Sequence, residues 1–288
     1  MFIKEHCSPR KEKINDSCLT KELLLKIATI LNEKKDADIP LKKISKKKLY
    51  DEISNVFNNT SKCDTESCWV NIDSIMNNLT KSEKEKIKES FRPEKPNEWK
   101  SNPNTWLSTE DIDNVMDQYV KEFPYFKYFG ATPIDFNLKN GNSCLVSDLC
   151  NINIKEIKNN NKKCIGMVFN TDPHNKGGQH WFSMYVDLVG KNMPKPAIYY
   201  FDSATPVNNF QDIPQEIINL MYKIQEQTNF TLDIFYNNMK HQNGNTECGV
   251  YCLHFLTEML KGKNFKEYIR NDLNDKVIEQ FRNIFFIK

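Results

Sequence analysis

No apolar run in this 288-residue chain approaches the length of about 20 residues that a helix needs to cross a bilayer. The opening residues, Met1-Phe2-Ile3-Lys4-Glu5-His6, lack the apolar core of a secretion signal. This sets the expectation of a cytosol-like compartment. Charge of one sign is also missing in excess: 40 Lys and Arg stand against 38 Asp and Glu, for a net charge of +2. A dedicated nucleic-acid-binding domain is usually far more basic. Paired Cys-x-x-Cys spacing is absent as well. Cys63 with Cys68, and Cys7 with Cys18, are the nearest groupings, and they give no zinc signature. No metal and no cofactor are expected. The 9 cysteines are expected to be mostly free thiols, packed as small hydrophobes in a reducing setting. No segment repeats.

What is present divides at Arg92-Pro93-Glu94-Lys95-Pro96-Asn97, a polar run whose prolines cannot continue a helix. The boundary falls there, giving residues 1–97 and 98–288. The first part reads as helical. Thr20 can cap a helix with Leu23, Leu24, Ile27, Ala28 and Leu31 on one face. A second helix is expected over 72–90, with Leu79, Ile87 and Phe91 as sparse apolar points. Lys42, Lys43, Lys46, Lys47 and Lys48 cluster around Ile44 and Leu49. They read as a solvated helix face before a patch for nucleic acid or an acidic partner.

The second part is richer in aromatic and β-branched residues. Ser108 and Asp111 are spaced as a capping box ahead of Ile112, Val115, Met116, Tyr119, Val120 and Phe123. Strands are expected at 164–169, 181–189, 197–201 and 231–236. A helix over 214–227 has Ile217, Ile218, Met221 and Ile224 on one face. Asp212 is placed to cap it and Pro214 suits its first turn. After a polar loop come an apolar helix from Cys248 to Leu260 and a last helix through Leu273, Val277, Ile278 and Phe281. The class is α+β, a small central mixed sheet packed against helices, preceded by a helical N-terminal domain.

Three segments carry chemistry. In His241-Gln242-Asn243-Gly244-Asn245-Thr246-Glu247-Cys248-Gly249 a loop delivers a cysteine to the first position of a helix. The helix N-terminus favours a thiolate there, and its unpaired N–H groups can face a developing oxyanion. Gly249 presents no side chain to a substrate approaching the sulfur, and the Gln242 amide can supply a second oxyanion donor. In Lys176-Gly177-Gly178-Gln179-His180-Trp181 a Gly-containing loop ends in a histidine at the start of a strand. His180 can hold Cys248 as a thiolate–imidazolium pair and pass a proton to a leaving amine. In Tyr200-Phe201-Asp202-Ser203 an acid ends the next strand, where it can orient His180. Asp187 competes for that role, but it lies on the same strand as His180 and cannot easily reach back. Asn170, at the end of the strand before the His loop, can bond substrate backbone or serve a turn. His174 and His241 are expected at the surface, and Cys252, one turn below Cys248, in the core.

The ordered set Gln-His-Trp, Phe-Asp-Ser and Gln-x5-Cys-Gly-Val-Tyr resembles the SUMO and ubiquitin-like-protein proteases and the adenoviral proteases. Thr105-Trp106-Leu107 looks like the start of their catalytic core. Among these, the chain looks most similar to the polyprotein-processing cysteine proteases of large cytoplasmic DNA viruses, of the African swine fever virus type. They too carry a helical extension. The resemblance covers roughly residues 104–288. It implies a papain-like core with Cys248 as nucleophile, His180 as base, Asp202 as orienter and Gln242 as oxyanion donor. It also implies that Trp106 and Trp181 wall a narrow tunnel, so that cleavage follows small residues of the Gly-Gly-x type. The implied substrate is a viral structural polyprotein, cut during virion maturation in the host cytoplasm or virion. The alternatives are a deconjugating protease for ubiquitin-like modifiers, an acyltransferase, and a non-enzymatic binding module.

Overall fold

The computed structural model describes residues 7–9, 17–60, 63–141, 143–270 and 273–287. The chain forms two compact units, Met1–Glu94 with Ile284–Lys288, and Lys95–Asn283. Ile287 returns to the first unit by donating its N–H to the Pro93 carbonyl at 2.9 Å. Among the described residues no helix is long and apolar enough to cross a membrane.

The first unit is helical: α1 (Lys21–Glu33), α2 (Lys46–Thr60), α3 (Glu66–Val70), α4 (Asp73–Met76) and α5 (Lys81–Lys88). Thr20 caps α1 by accepting from the Leu23 N–H, and Leu23, Leu24, Ile27, Ala28 and Leu31 are all buried. α2 starts inside the lysine run. Leu49, Ile53 and Phe57 form its buried stripe, while Lys42, Lys43, Lys47 and Lys48 stay exposed. The single helix expected over 72–90 is two helices. Thr80 takes the N-cap of α5 and closes a capping box with Glu83, whose carboxylate accepts from the Thr80 N–H at 2.7 Å. That local bonding outcompetes helix continuation through Asn77–Thr80.

The cysteine expectation is also corrected. Cys7–Cys18, Cys63–Cys68 and Cys144–Cys150 are disulfides, with Cα separations of 5.1, 5.6 and 6.3 Å, all within bridging reach. The free thiols are Cys164, Cys248 and Cys252.

The second unit contains α6 (Thr109–Glu122), β1 (Phe126–Pro133), β2 (Lys139–Asn140), β3 (Ser143–Cys144), α7 (Ser147–Cys150), α8 (Ile154–Asn159), β4 (Cys164–Asn170), β5 (Trp181–Asp187), β6 (Ala197–Phe201), α9 (Gln215–Gln227), β7 (Asp233–Tyr236), α10 (Cys248–Lys261) and α11 (Phe265–Arg270). It also holds α12 (Asp275–Phe285) as far as Asn283. The five-stranded sheet has the order β1-β4-β5-β6-β7. Its outer pairs are parallel and its inner pairs antiparallel. Every residue of β4, β5 and β6 is buried, which fits a sheet covered on both faces. On one face Ile165, Met167, Phe169, Phe182 and Met184 share a core with Ile217, Met221 and Ile224 of α9. On the other, Phe201 stacks on Phe255 of α10 at 5.0 Å and Tyr199 on Phe265 of α11 at 4.9 Å.

Three local differences from the sequence reading have clear causes. The capping role given to Asp212 belongs to a preceding 3₁₀ turn, where it pairs with Asn209, and Pro214 is the N-cap of α9. β5 stops at Asp187, whose carboxylate turns the chain by accepting from the N–H groups of Val189, Gly190 and Asn192. β7 starts at Asp233 because Thr231 still closes the end of α9, donating to the Thr228 carbonyl at 2.8 Å.

Candidate active site

The site lies at one end of the three central strands. The register pairs Asn170 of β4 with Trp181 of β5, and Ser183 of β5 with Phe201 of β6. The residue just before β5 is His180 and the residue just after β6 is Asp202, so antiparallel pairing alone brings them together. His180 Nε2 meets Asp202 Oδ1 at 2.8 Å. Asp187 is fully buried in its own turn, so the acid beside His180 is Asp202.

Asp202 is 4% exposed. The same Oδ1 accepts from the N–H groups of Ala204 at 2.9 Å and Thr205 at 3.0 Å. Asn237, fully buried, holds the Asp202 backbone from both sides. Its Oδ1 accepts from the Asp202 N–H at 2.9 Å and its Nδ2 donates to the Asp202 carbonyl at 2.7 Å. With Nε2 committed to Asp202, the histidine has Nδ1 left for the thiol of Cys248, whose influence raises its affinity for a proton. Burial opposes a charge on His180. The bonds to Asp202 and Cys248 and their negative charges outweigh it, so His180 is raised from 6.5 to about 10.

Cys248 is the first residue of α10 and 1% exposed. No side chain caps this helix, so the main-chain N–H groups of its first turn are available to an anion. Gln242 is also buried. Ser203 Oγ donates to its Oε1 at 2.8 Å, which fixes the amide so that its nitrogen is the free donor end. That nitrogen reaches the Gly244 carbonyl at 3.2 Å and carries a second hydrogen for another acceptor. The Ser203 carbonyl accepts from the main-chain N–H groups of both His241 and Gln242, tying this loop to the end of β6.

The other residues singled out in the sequence take varied places. Trp106 is 43% exposed, and its indole N–H donates to the Asn245 carbonyl, in the loop before Cys248. Trp181 is 8% exposed, and its indole N–H donates to the Leu107 carbonyl at 2.9 Å. The two indoles are thus bonded to the segments at Asn245 and Leu107, near Cys248 in the chain and against Gly249 respectively. Gly249 is buried against Leu107, whose Cβ would lie 3.0 Å from an added Cβ. Its small size serves packing at that contact. Asn170 organises the His loop, accepting from the N–H groups of Asp172 at 2.9 Å and Gln179 at 3.3 Å. His174 is exposed and paired with Asp135 at 2.6 Å. His241 is a correction: it is 4% exposed, with its ring 5.6 Å from that of Phe201. The turn that ties His241 and Gln242 to Ser203 carries both side chains inward. Cys252 is fully buried, and desolvation pushes its thiol well up. Among the described residues no group of His, Cys, Asp and Glu is arranged to hold a metal ion.

Sequence reasoning passed over Ser203 and Asn237 as site residues. Ser203 carried a signal, because it follows Asp202 directly in the Phe-Asp-Ser motif. Asn237 lies in an unremarkable polar stretch and carried none.

A thiol at an uncapped helix start, a cationic histidine and a buried acid define a cysteine-peptidase site. Residues 115–288 match the Ulp1 protease family, C-terminal catalytic domain. The chain belongs to that family and is a thiol protease. It is 29% identical to a thiol protease of Acanthamoeba polyphaga mimivirus, over 97% of this chain and 92% of that one. It is 30% identical to the SUMO-1 cysteine protease of African swine fever virus, over 42% of this chain and 43% of that one. The crystal structure of the African swine fever virus protease superposes with a TM-score of 0.73 at 20% identity, covering 98% of this chain and 96% of that chain. The fold, helical first part included, is therefore shared.

Proposed function

We propose that the chain is an endopeptidase that cuts after small residues, Gly-Gly above all, with Cys248 as nucleophile. The single observation that supports this best is the bond of His180 Nε2 to Asp202, which leaves Nδ1 for the thiol at the uncapped start of α10. The Cys248 sulfur attacks the scissile carbonyl carbon. The oxyanion takes hydrogen bonds from the Cys248 N–H and from Gln242 Nε2. The His180 imidazolium gives its Nδ1 proton to the leaving amine, and a thioester remains. Water then attacks the thioester, neutral His180 takes its proton, and the acid product leaves as the ion pair reforms.

The preference for glycine is argued from Trp106 and Trp181, both tied by their indole N–H groups to chain beside the nucleophile. Flat walls fixed in this way favour residues without side chains. Asn170 and Gly249 contribute by holding the His loop and the Leu107 contact. The substrate we propose is a viral structural polyprotein with Gly-Gly-x junctions, processed in the host cytoplasm or the virion. A second reading, removal of ubiquitin-like modifiers, is favoured by the family itself, which is named for Ulp1.

Peptides containing Gly-Gly-x, compared between wild type and Cys248→Ala, test the first reading. Cleavage after glycine that vanishes in the mutant supports it, whereas cleavage that persists rules out Cys248. SUMO and ubiquitin precursors run alongside separate the two substrate classes.

A further inference from the structure

The loop 243–247 joins the amide donor Gln242 to the nucleophile Cys248 and has no regular structure of its own. Three of its main-chain groups are bonded to side chains of the last helix. Asp275, the first residue of α12, accepts at one oxygen, Oδ2, from the N–H groups of Asn243 at 2.8 Å and Gly244 at 2.7 Å. Its other oxygen accepts from the Tyr251 hydroxyl at 3.1 Å, on the first turn of α10. Arg282 lies seven residues further along α12, about 10 Å along the same helix face. Arg282 is 3% exposed, and its guanidinium donates to the carbonyls of Thr105 at 2.9 Å and Thr246 at 2.7 Å. The first lies beside Trp106 and the second two residues before Cys248. The Trp99 ring covers the guanidinium at 4.8 Å.

We propose that α12 is a positioning element for catalysis, with Asp275 and Arg282 gripping the two ends of the nucleophile loop. Arg282 also fastens that loop to the segment carrying Trp106. The proposal rests on Cys248 and Gln242 having the roles given above.

Two features favour positioning over generic packing. Every bond of the pair to residues 243–246 ends on main chain, so it fixes the path of the loop whatever side chains it bears. Arg282 is also a buried cation that forms no ion pair with a carboxylate among the described residues. The anions acting on it are Glu247, Glu279 and Cys248 itself. Glu247 turns its carboxylate to the Thr246 N–H at 3.2 Å and to the Thr246 hydroxyl. A buried cation without a close carboxylate is costly, and one bonded to the chain two residues before Cys248 lends positive potential to a thiolate there. The other groups facing Cys248 are His180 and Cys252.

The test uses the full chain with Arg282→Gln, Arg282→Lys, Asp275→Ala and Asp275→Asn. Each is assayed for kcat and KM on a cleaved peptide, thermal midpoint, and alkylation of Cys248 by iodoacetamide against pH, mapped by mass spectrometry. Arg282→Gln is expected to lower kcat by about 10- to 100-fold through misplacement of the reacting groups, with KM changed far less. Its alkylation profile should move to higher pH as a nearby positive charge is lost. Arg282→Lys should restore the alkylation profile without restoring kcat, because an ammonium keeps the charge and loses the fork. Asp275→Ala should lose kcat and Asp275→Asn recover most of it, since an amide oxygen still accepts both N–H groups. Wild-type kcat in both Arg282→Gln and Asp275→Ala would overturn the proposal. So would losses that merely follow the unfolded fraction, with the Lys and Asn variants no better than Gln and Ala. Failure of the underlying site reading looks different: Cys248→Ala would keep its turnover.

Discussion

Replacing Asp202 by Asn separates the charge of the proposed catalytic acid from its hydrogen bonds. The bonds of this carboxylate to His180, Ala204 and Thr205 all run to one oxygen, at 2.8, 2.9 and 3.0 Å. An asparagine can place its carbonyl oxygen there and keep all three. What it removes is the negative charge that helps hold His180 at about 10 against the opposing effect of burial. Losing an opposite charge at this range lowers a histidine by about 1–3 units. The sign follows from the mechanism. The ion pair exists only while the imidazole keeps its proton, so the rate falls as pH rises through the His180 value. Wild type should therefore hold its alkaline limb near 10, while Asp202→Asn should bring it to about 7–9. Asp202→Ala removes the bonds as well. It should fall furthest, with a loss in kcat/KM of about 10²–10⁴ at neutral pH. The assay is kcat/KM against pH for the three proteins, with thermal midpoints to show that each is folded. An alkaline limb that does not move in Asp202→Asn, or Asn and Ala variants that behave alike while both stay folded, would refute the reasoning.

Three other substitutions probe the packing behind the site. Gly249→Ala would place a Cβ 3.0 Å from Leu107 Cβ, displacing the segment whose carbonyl holds Trp181. We expect about a tenfold loss of kcat/KM, partly recovered when Leu107→Ala is added, and measured by peptide cleavage. Gly166→Ala would bring a Cβ to 2.6 Å from Cζ of Phe126 on the neighbouring strand β1, costing about 1–3 kcal/mol in denaturant unfolding; a Phe126→Leu partner should relieve it. Asn237→Ala leaves both main-chain groups of Asp202 without their partner. It should cost about 1–3 kcal/mol and lower the alkaline limb, because a loosened Asp202 holds the His180 proton less well.

The proposed catalytic set could be picked out in the sequence because its chemistry requires particular side chains at element ends. Cys248 starts a helix, His180 precedes a strand and Asp202 follows one, and each position is marked by a change of hydrophobic period. β4 was legible as a continuous apolar run and β5 as an alternating, aromatic-rich stretch, with β6 as the third strand after them. β1 was not. Between Tyr128 and Ala131 its pairing with β4 is interrupted, at a Gly130 with φ of +85°. The Asp113 carboxylate holds that irregularity, accepting from the Ala131 N–H and the Tyr128 hydroxyl at 2.8 Å each. A bulge shifts the alternation by one residue, so neither a period of two nor an unbroken apolar run survives. The disulfides were hidden differently. Pairing depends on Cα separation, and the spacing of Cys144 and Cys150 becomes meaningful only once β3 and α7 fold the chain back within 6.3 Å.

The last helix shows where motif reading stops. Asp275 and Arg282 bond main-chain N–H and C=O groups, which nearly every residue offers alike. Nothing in Asn243-Gly244-Asn245-Thr246 therefore announces a partner on α12. The trace is on the other side of the contact. Ile278 and Arg282 are four residues apart on one helix face and both are buried, at 0% and 3% exposed. A charged residue continuing an apolar stripe must find acceptors inside the protein or cost several kcal/mol. Such a residue is evidence of a built contact even before its acceptors are known. Here the acceptors are the carbonyls of Thr105, beside Trp106, and Thr246, two residues before Cys248, so a side chain outside every motif reaches both segments on which the proposed site depends.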